Sequence, residues 1–351
     1  MLGLITLGLM LVLIYGLVSL AVRGKVASTH APKIQDSFSV CMILKDQHAL
    51  SPLQLENNLK TISHYPKAEF LLMVQGLEAE IHAYEELQKR YPFLKILLVP
   101  NHPEVQSLSG WMMEELLKIS KGDYLLMLHS QLDLYEHMID SAVNECQQNN
   151  KAVFGLPQLK RDFFLTESIF ALSPQLILAS LKIPPRWQKN IHLFGLADFS
   201  TYFLLLSRKQ LESMGALNLA RQGIISPVVE NLTEKNELKF MYGEKHLKRR
   251  LPLTRSVALF EVRRFWDRLI SAKEKSSLIL FILALLIWSF PWLVVLTHHY
   301  WALVGFFFLG IYRFFTKIIF QESWPNMLLH PMACVFWWYG LAQVLWAKRK
   351  A

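Results

Sequence analysis

Leu2 to Val22 carry no charge, and the run stops at Arg23 and Lys25. As a helix rising 1.5 Å per residue, these twenty-one residues reach about 30 Å, the thickness of a bilayer's hydrocarbon core. A cleaved secretory leader would need a positive n-region, a shorter apolar stretch and a small-residue cleavage site. Here the basic residues follow the apolar run instead. The expectation is an uncleaved anchor over 1–25, with the amino terminus outside and everything after Arg23 in the cytoplasm.

The other end is apolar from Ser276 onward. Leu278 to Thr297 reads as one span, entered from Arg268, Lys273 and Lys275, and His298, His299 and Tyr300 form a turn. Trp301 to Tyr312 runs on to Arg313 and Lys317, and Met327 to Trp346 ends in Lys348, Arg349 and Lys350. Three spans would put that basic tail outside, against the positive-inside rule. Two spans plus a re-entrant or interfacial segment over 313–324 would keep it inside. Most of the ten tryptophans lie after residue 285, where they read as interface anchors.

Composition agrees with this split. The chain is 52% hydrophobic and 19% charged, against about 45–50% and 25% for an ordinary soluble domain. The excess sits at the two ends, which excludes a purely soluble globule, a disordered chain and a fully polytopic transporter. The net charge of +9 fits nucleic-acid binding or membrane-flanking basic clusters equally well. Cys41, Cys146 and Cys334 lie far apart, so neither a disulfide framework nor a zinc site is indicated.

Between the ends, residues 35–255 have globular composition. Phe38–Leu44, Glu69–Val74, Leu94–Val99 and Tyr124–Leu128 are short apolar runs that read as buried strands. Pro52–Ser63, Glu78–Tyr91, Ser109–Ser120 and Glu136–Asn149 read as helices between and after them. This alternation implies an α/β fold with a parallel sheet and helices on both faces. Ligands of such sheets bind beyond the carboxyl ends of the strands, so the loops after Leu44, Val74, Val99 and Leu128 matter most.

Those loops give the chain its resemblance. Lys121–Leu128 (KGDYLLML) resembles the run into the metal-binding loop of membrane-anchored family 2 glycosyltransferases. Ser37–Asp46 resembles their first strand, and Tyr65-Pro66 with Glu69–Val74 their second. Leu328–Val335 (LLHPMACV) resembles the last membrane helix of the hopanoid, carotenoid and ceramide branches. The resemblance implies a GT-A fold, a mostly parallel sheet flanked by helices, with transmembrane helices at both termini. It implies an anchor (1–25), a glycosyltransferase domain (35–255), an interfacial basic and aromatic segment (256–276) and a membrane hairpin region (277–347). It also implies a nucleotide-sugar donor, a lipid acceptor, a divalent metal (Mg²⁺ or Mn²⁺), no nucleic acid, and a place in the cytoplasmic membrane of a bacterium.

The chemistry fits the resemblance less well than the architecture. Hard cations want oxygen ligands, chiefly carboxylates. The positions expected to supply them read His129, Ser130 and Gln131, and the nearest acid is Asp133, the metal candidate. Gln131 then remains as a nucleotide contact. Gln75 stands where the family contacts the base, and Asp46 ends the first strand as a nucleotide contact or a turn residue. An inverting transferase needs a carboxylate to take the acceptor's proton. The two possible alignments put Asn231 or Lys235 there and leave Glu230 or Glu234 as the candidate. The family's QxxRW motif falls at Val262–Trp266. Arg263, Arg264 and Trp266 are its candidate diphosphate contacts, or membrane-interface anchors. Two readings stay open: a lipid glycosyltransferase, and an inactive pseudoenzyme of the same fold serving as a membrane scaffold.

Overall fold

A computed structural model describes residues 34–45, 52–75, 81–99, 108–155, 158–159, 203–215, 228–229, 231–232, 235, 237–241, 248–249, 255–271, 278–279, 281–283, 285–286, 289, 303–304, 306–307, 310–311, 314 and 330–350. The chain divides into two compact units. One holds Lys25–Pro157 and Thr201–Arg249; the other holds Met1–Gly24, Gln158–Ser200 and Arg250–Ala351.

The first unit follows the expected alternation. Its elements are β1 (Phe38–Lys45), α1 (Pro52–Ile62), β2 (Ala68–Gln75), α2 (Ile81–Arg90), β3 (Leu94–Leu98), α3 (Leu108–Ile119), β4 (Tyr124–Leu128) and α4 (Glu136–Asn149). β1 pairs in parallel with β2 and with β4, and β2 with β3. Then come β5 (Ala152–Gly155), β6 (Phe203–Ser207), α5 (Arg208–Ser213) and β7 (Leu238–Met241). The sheet has seven strands in the order β3-β2-β1-β4-β6-β5-β7.

The sheet is mixed rather than wholly parallel, because β6 runs antiparallel between β4 and β5. Phe203, Leu204, Leu205 and Leu206 are all fully buried. A run buried on both faces has no polar alternation, so its sequence says "central strand" without fixing a direction.

The two faces follow from the pleat. Phe38, Val40, Met42 and Leu44 of β1 point to one side and pack with Leu55, Leu59 and Ile62 of α1, Tyr84 of α2 and Ile139 and Val143 of α4. α3 packs on β1 and β2 through buried Met112, Met113 and Leu116. Burying a side chain of this size contributes about 1.5–3 kcal/mol.

The residues that carry the KGDY and YP resemblances build the scaffold. A Cβ on Gly122 would lie 2.4 Å from the Ser39 nitrogen, so no larger residue fits beside β1. The Gly122 N–H donates to Ser39 Oγ at 2.8 Å, and Ser37 Oγ donates to Asp123 at 2.5 Å. Arg208 of α5 donates to the Gly122 and Ser120 carbonyls at 2.9 and 2.8 Å. Tyr65 meets Phe38 edge-on and donates its hydroxyl proton to Asp140 at 3.0 Å. Burial, then the negative charge of Asp140, pushes that phenol well above its usual pKa.

The second unit contains α6 (Arg255–Ser271) and α7 (His330–Lys350). They meet through Phe265, Trp266, Trp337 and the helical residue Phe281, whose rings lie within 4.7–6.3 Å of one another. Gly340 lets the helices close: a Cβ there would stand 2.6 Å from Val262 Cγ1.

Among the described residues, no helix is long and apolar enough to cross a membrane. α7 forms where the last span was expected, but Trp337, Trp338, Tyr339 and Gln343 dilute its apolar stretch. The anchor over 1–25 lies outside the described residues, as do most residues of 278–312.

Candidate functional site

The sheet order locates the edge to inspect. From β1 the chain moves outward through β2 to β3, then returns to place β4 on the other side of β1. This reversal is a topological switch point, where open α/β sheets bind ligands beyond their carboxyl ends. The register sets Lys45 opposite Gln75 and Met42 opposite Leu128, so the ends of β1, β2 and β4 open on one edge. β2 and β4 lie two strand spacings apart, about 10 Å.

The loop after β4 is built from within. The His129 carbonyl accepts from the Leu132 N–H at 3.0 Å, closing a tight turn. Leu132 and Leu134 are buried, while Gln131 and Asp133 between and before them are half-buried. Asn58 of α1 holds this alternation: its Nδ2 donates to the Leu132 carbonyl at 3.0 Å, and its Oδ1 accepts from the Leu134 N–H at 2.9 Å. Thr61 adds a hydrogen bond to the Leu134 carbonyl at 3.1 Å. The Gln131 N–H donates to His129 Nδ1 at 3.2 Å, which makes that nitrogen the acceptor and places the neutral ring's proton on Nε2.

The positions expected from the sequence fall into three groups. Gln75, at the end of β2, and Gln131 and Asp133, after β4, share the carboxyl edge of the sheet. Asp46, Glu230 and Glu234 lie outside the described residues. Arg263, Arg264 and Trp266 lie on α6 of the other unit. Arg263 is exposed, whereas Trp266 is fully buried and donates its indole N–H to the Trp337 carbonyl at 2.8 Å. Asn231, next to Glu230 in sequence, has its side-chain oxygen buried with no hydrogen-bond partner among the described residues.

Asn58 is the residue that sequence reasoning missed, although the signal was present. Leu55, Asn58, Leu59 and Ile62 form one helical stripe, and a polar side chain on a buried stripe must find partners.

The donor set does not suit a hard divalent cation. His129, Ser130 and Gln131 offer an imidazole, a hydroxyl and an amide, and Asp133 is the one carboxylate of that loop. Among the described residues, no group of three or more His, Cys, Asp or Glu side chains is placed to hold a metal ion.

The opposite, amino edge of the sheet is closed by Glu69. Its carboxylate accepts from Lys95 Nζ at 2.8 Å, Ser39 Oγ at 2.7 Å and the Lys121 N–H at 2.6 Å. Burial raises its pKa, but these hydrogen bonds outweigh burial and hold it below the usual carboxylate value.

No protein-family model matches the chain, and no curated protein matches it. Several solved structures are similar in shape. One is the mannosyltransferase PcManGT from Pyrobaculum calidifontis in complex with GDP-Man and Mn2+. It is 12% identical, over 99% of this chain and 100% of that one, with a TM-score of 0.49. Glucosyl-3-phosphoglycerate synthase from Mycobacterium tuberculosis, solved with Mn2+ and uridine diphosphate, is 13% identical over 67% and 79%, with a TM-score of 0.44. S. aureus TarS 1-349 with UDP-GlcNAc is 11% identical over 90% and 92%, with a TM-score of 0.41. At such identities and scores, the likeness carries neither a residue correspondence nor a function to this chain.

Proposed function

We propose that the chain is a membrane-attached, GT-A-like glycosyltransferase that binds a nucleotide-sugar at the carboxyl edge of β1, β2 and β4. The sugar would pass to a lipid acceptor at the cytoplasmic leaflet. The observation that supports this best is a coincidence of two independent lines. The loop marked by the KGDYLLML resemblance, His129–Asp133, follows β4 at the switch point between β1 and β4. In this reading Gln75 offers its amide to the base, and Gln131 and Asp133 face the sugar or diphosphate. Glu230 or Glu234 takes the acceptor hydroxyl's proton, and Asp46 closes the nucleotide side. Transfer would leave a negatively charged diphosphate at this edge; Arg263, Arg264 and Trp266 belong to the other unit and are given no part in it. A divalent cation would neutralise that charge in a metal-dependent enzyme. The loop after β4 does not suit one, so no step is assigned to it.

A second reading has its own observation. The imidazole, hydroxyl and amide after β4, together with Asn231 beside the missing base, favour a pseudoenzyme that binds nucleotide without transferring sugar.

Calorimetry on the full chain in detergent tests both readings. Uridine and guanosine diphosphates and their sugars are titrated in excess EDTA and again with Mn2+. Binding that weakens at least tenfold in Asp133→Asn supports the nucleotide site. Hydrolysis or transfer of the bound sugar then selects the enzyme, and binding without turnover selects the pseudoenzyme. No binding of any of these nucleotides under either condition overturns both readings.

A further inference from the structure

β3 is an edge of the sheet, and among the described residues no strand pairs with its outer side. The Phe70 N–H donates to the Phe93 carbonyl at 2.9 Å and the Val99 N–H to the Val74 carbonyl at 3.0 Å, which fixes the phase of the ladder. Phe93, Lys95, Leu97 and Val99 therefore turn their backbone groups to β2, and Leu94, Ile96 and Leu98 turn theirs away from it. The Leu94 N–H closes a turn on the Tyr91 carbonyl at 2.9 Å. The Leu94 carbonyl and the N–H and C=O groups of Ile96 and Leu98 are left facing outward.

Sheet edges are usually blunted by proline, a bulge or charged side chains. β3 reads LKILL, without proline, and its register to β2 is unbroken. Its one charge, Lys95, reaches inward to Glu69 of β2 at 2.8 Å. Ile96 packs only partly against the core, and Leu98 is 51% exposed. At the other edge, β7 exposes no residue.

We propose that two copies of the chain join antiparallel through β3, about a two-fold axis at Ile96, and form one continuous sheet. Pairing at this edge needs no nucleotide and is independent of the glycosyltransferase reading.

Symmetry and charge select a second copy over an unrelated strand. Antiparallel pairing at Ile96 lets the two Ile96 residues exchange both hydrogen bonds, and sets each Leu98 N–H against the Leu94 carbonyl of the second copy. Leu94, Ile96 and Leu98 share one face of β3, the face on which Tyr84 and Leu87 of α2 pack. Across the axis, leucine meets leucine and isoleucine meets isoleucine on that face. α2 lies on β3, so it runs antiparallel to its own copy. Arg90 of α2 turns toward α1, where it holds Glu56 at 3.0 Å. Glu85 and Lys89 are exposed one turn apart on the side of α2 away from α1, which is the side of the sheet edge. The antiparallel copy sets the acidic end of this stripe against the basic end of the other.

Light scattering of the full chain in detergent, without nucleotide and corrected for bound detergent, measures the protein mass over a dilution series. The expected result is a monomer–dimer equilibrium. Ile96→Pro removes an N–H that β2 does not use, so the chain keeps its fold and loses the dimer. Leu98→Lys places a charge at both symmetric ends of the contact and weakens dimerisation at least tenfold. Glu85→Lys also weakens it, and adding Lys89→Glu restores it, because the reversed charges meet again across the axis. Oxidation of Ile96→Cys yields a cross-linked dimer, and oxidation of the control Lys209→Cys does not; native Cys41, Cys146 and Cys334 are all buried. Circular dichroism checks each variant, and if Ile96→Pro unfolds, Leu98→Lys decides, since that position is already exposed. A monomer at every concentration overturns the proposal. A dimer of wild-type affinity in Leu98→Lys, or a double charge reversal that restores nothing, overturns it as well.

Discussion

The two compact units put apolar side chains to opposite use. Sixteen large hydrophobic residues are exposed among the described residues, and twelve of them lie in the unit that contains α6 and α7. The α/β unit covers its sheet on both faces and turns polar side chains outward, as a domain in water must. The helical unit builds a small aromatic core around Trp266, Phe281 and Trp337 and, among the described residues, holds most of the exposed large apolar side chains. Substitutions with the same chemistry should have different consequences in the two units.

The largest effects break each core at its tightest point. Gly122→Ala places a Cβ 2.4 Å from the Ser39 nitrogen and 2.5 Å from the Phe38 carbonyl carbon, and strand backbone leaves no easy relief. It should cost about 3 kcal/mol or more. Trp337→Ala removes the centre of the aromatic cluster and should cost about 3–5 kcal/mol. Thermal unfolding by circular dichroism checks both. A wild-type transition for Gly122→Ala would mean that β4 enters the sheet less closely to β1 than described.

Asn58→Ala comes next. It strands the Leu132 carbonyl and the Leu134 N–H, both in a buried setting, at about 1–3 kcal/mol each. Because it also frees the loop carrying Gln131 and Asp133, nucleotide binding should weaken more than stability does. Asn58→Asp keeps an acceptor for the Leu134 N–H but sets a buried carboxylate oxygen against the Leu132 carbonyl, so at neutral pH it should cost at least as much as alanine. If Asn58→Ala lost stability but bound nucleotide normally, the β4 loop would be part of the core and not of the site.

A smaller effect depends on pH. Glu69 has its folded pKa held down, so it contributes stability that is fully present above the ordinary glutamate value. That stability is lost as pH falls through the lowered value, on the acid side of an ordinary glutamate's titration. Lys95, Ser39 and the Lys121 N–H are the groups left without a charged partner. Glu69→Gln should flatten this acid limb of a stability–pH curve and leave the neutral plateau slightly lower. An unchanged acid limb would assign the acid loss to other carboxylates.

The contrast between the units also explains what could be read from the sequence. The first eight elements of the α/β unit were legible, because a strand buried on both faces and an amphipathic helix leave distinct patterns. Phe203–Ser207 was not, since a run of buried leucines says nothing of direction, and the chain returns to it from far away. The residues that carried the family resemblance turned out to be mostly scaffold. Gly122 and Asp123 seat β4 against β1, and Tyr65 holds α4 through Asp140. Resemblance therefore marked the architecture well and the chemistry poorly. Asn58, which shapes the candidate loop, carries no motif, and only its place on an apolar stripe gave it away. For α7 the apolar length was legible and the topology was not. The charges of α6 that bear on topology lie about seventy residues earlier, and only folding brings them to α7.

The smallest expected change is the one that separates the two faces of α7 most cleanly. Val335 and Trp337 are two residues apart on α7, both apolar, and they face opposite ways: one is 65% exposed and the other 1%. Val335→Ser removes no packing, so in detergent its unfolding should match wild type within about 0.5 kcal/mol. If the proposed membrane attachment covers this face with lipid, the same substitution should lower retention on vesicles in a salt wash without unfolding the chain. A Val335→Ser chain that unfolds early in detergent would show that this face packs on protein. A chain as firmly retained on vesicles as wild type would show that lipid does not cover it.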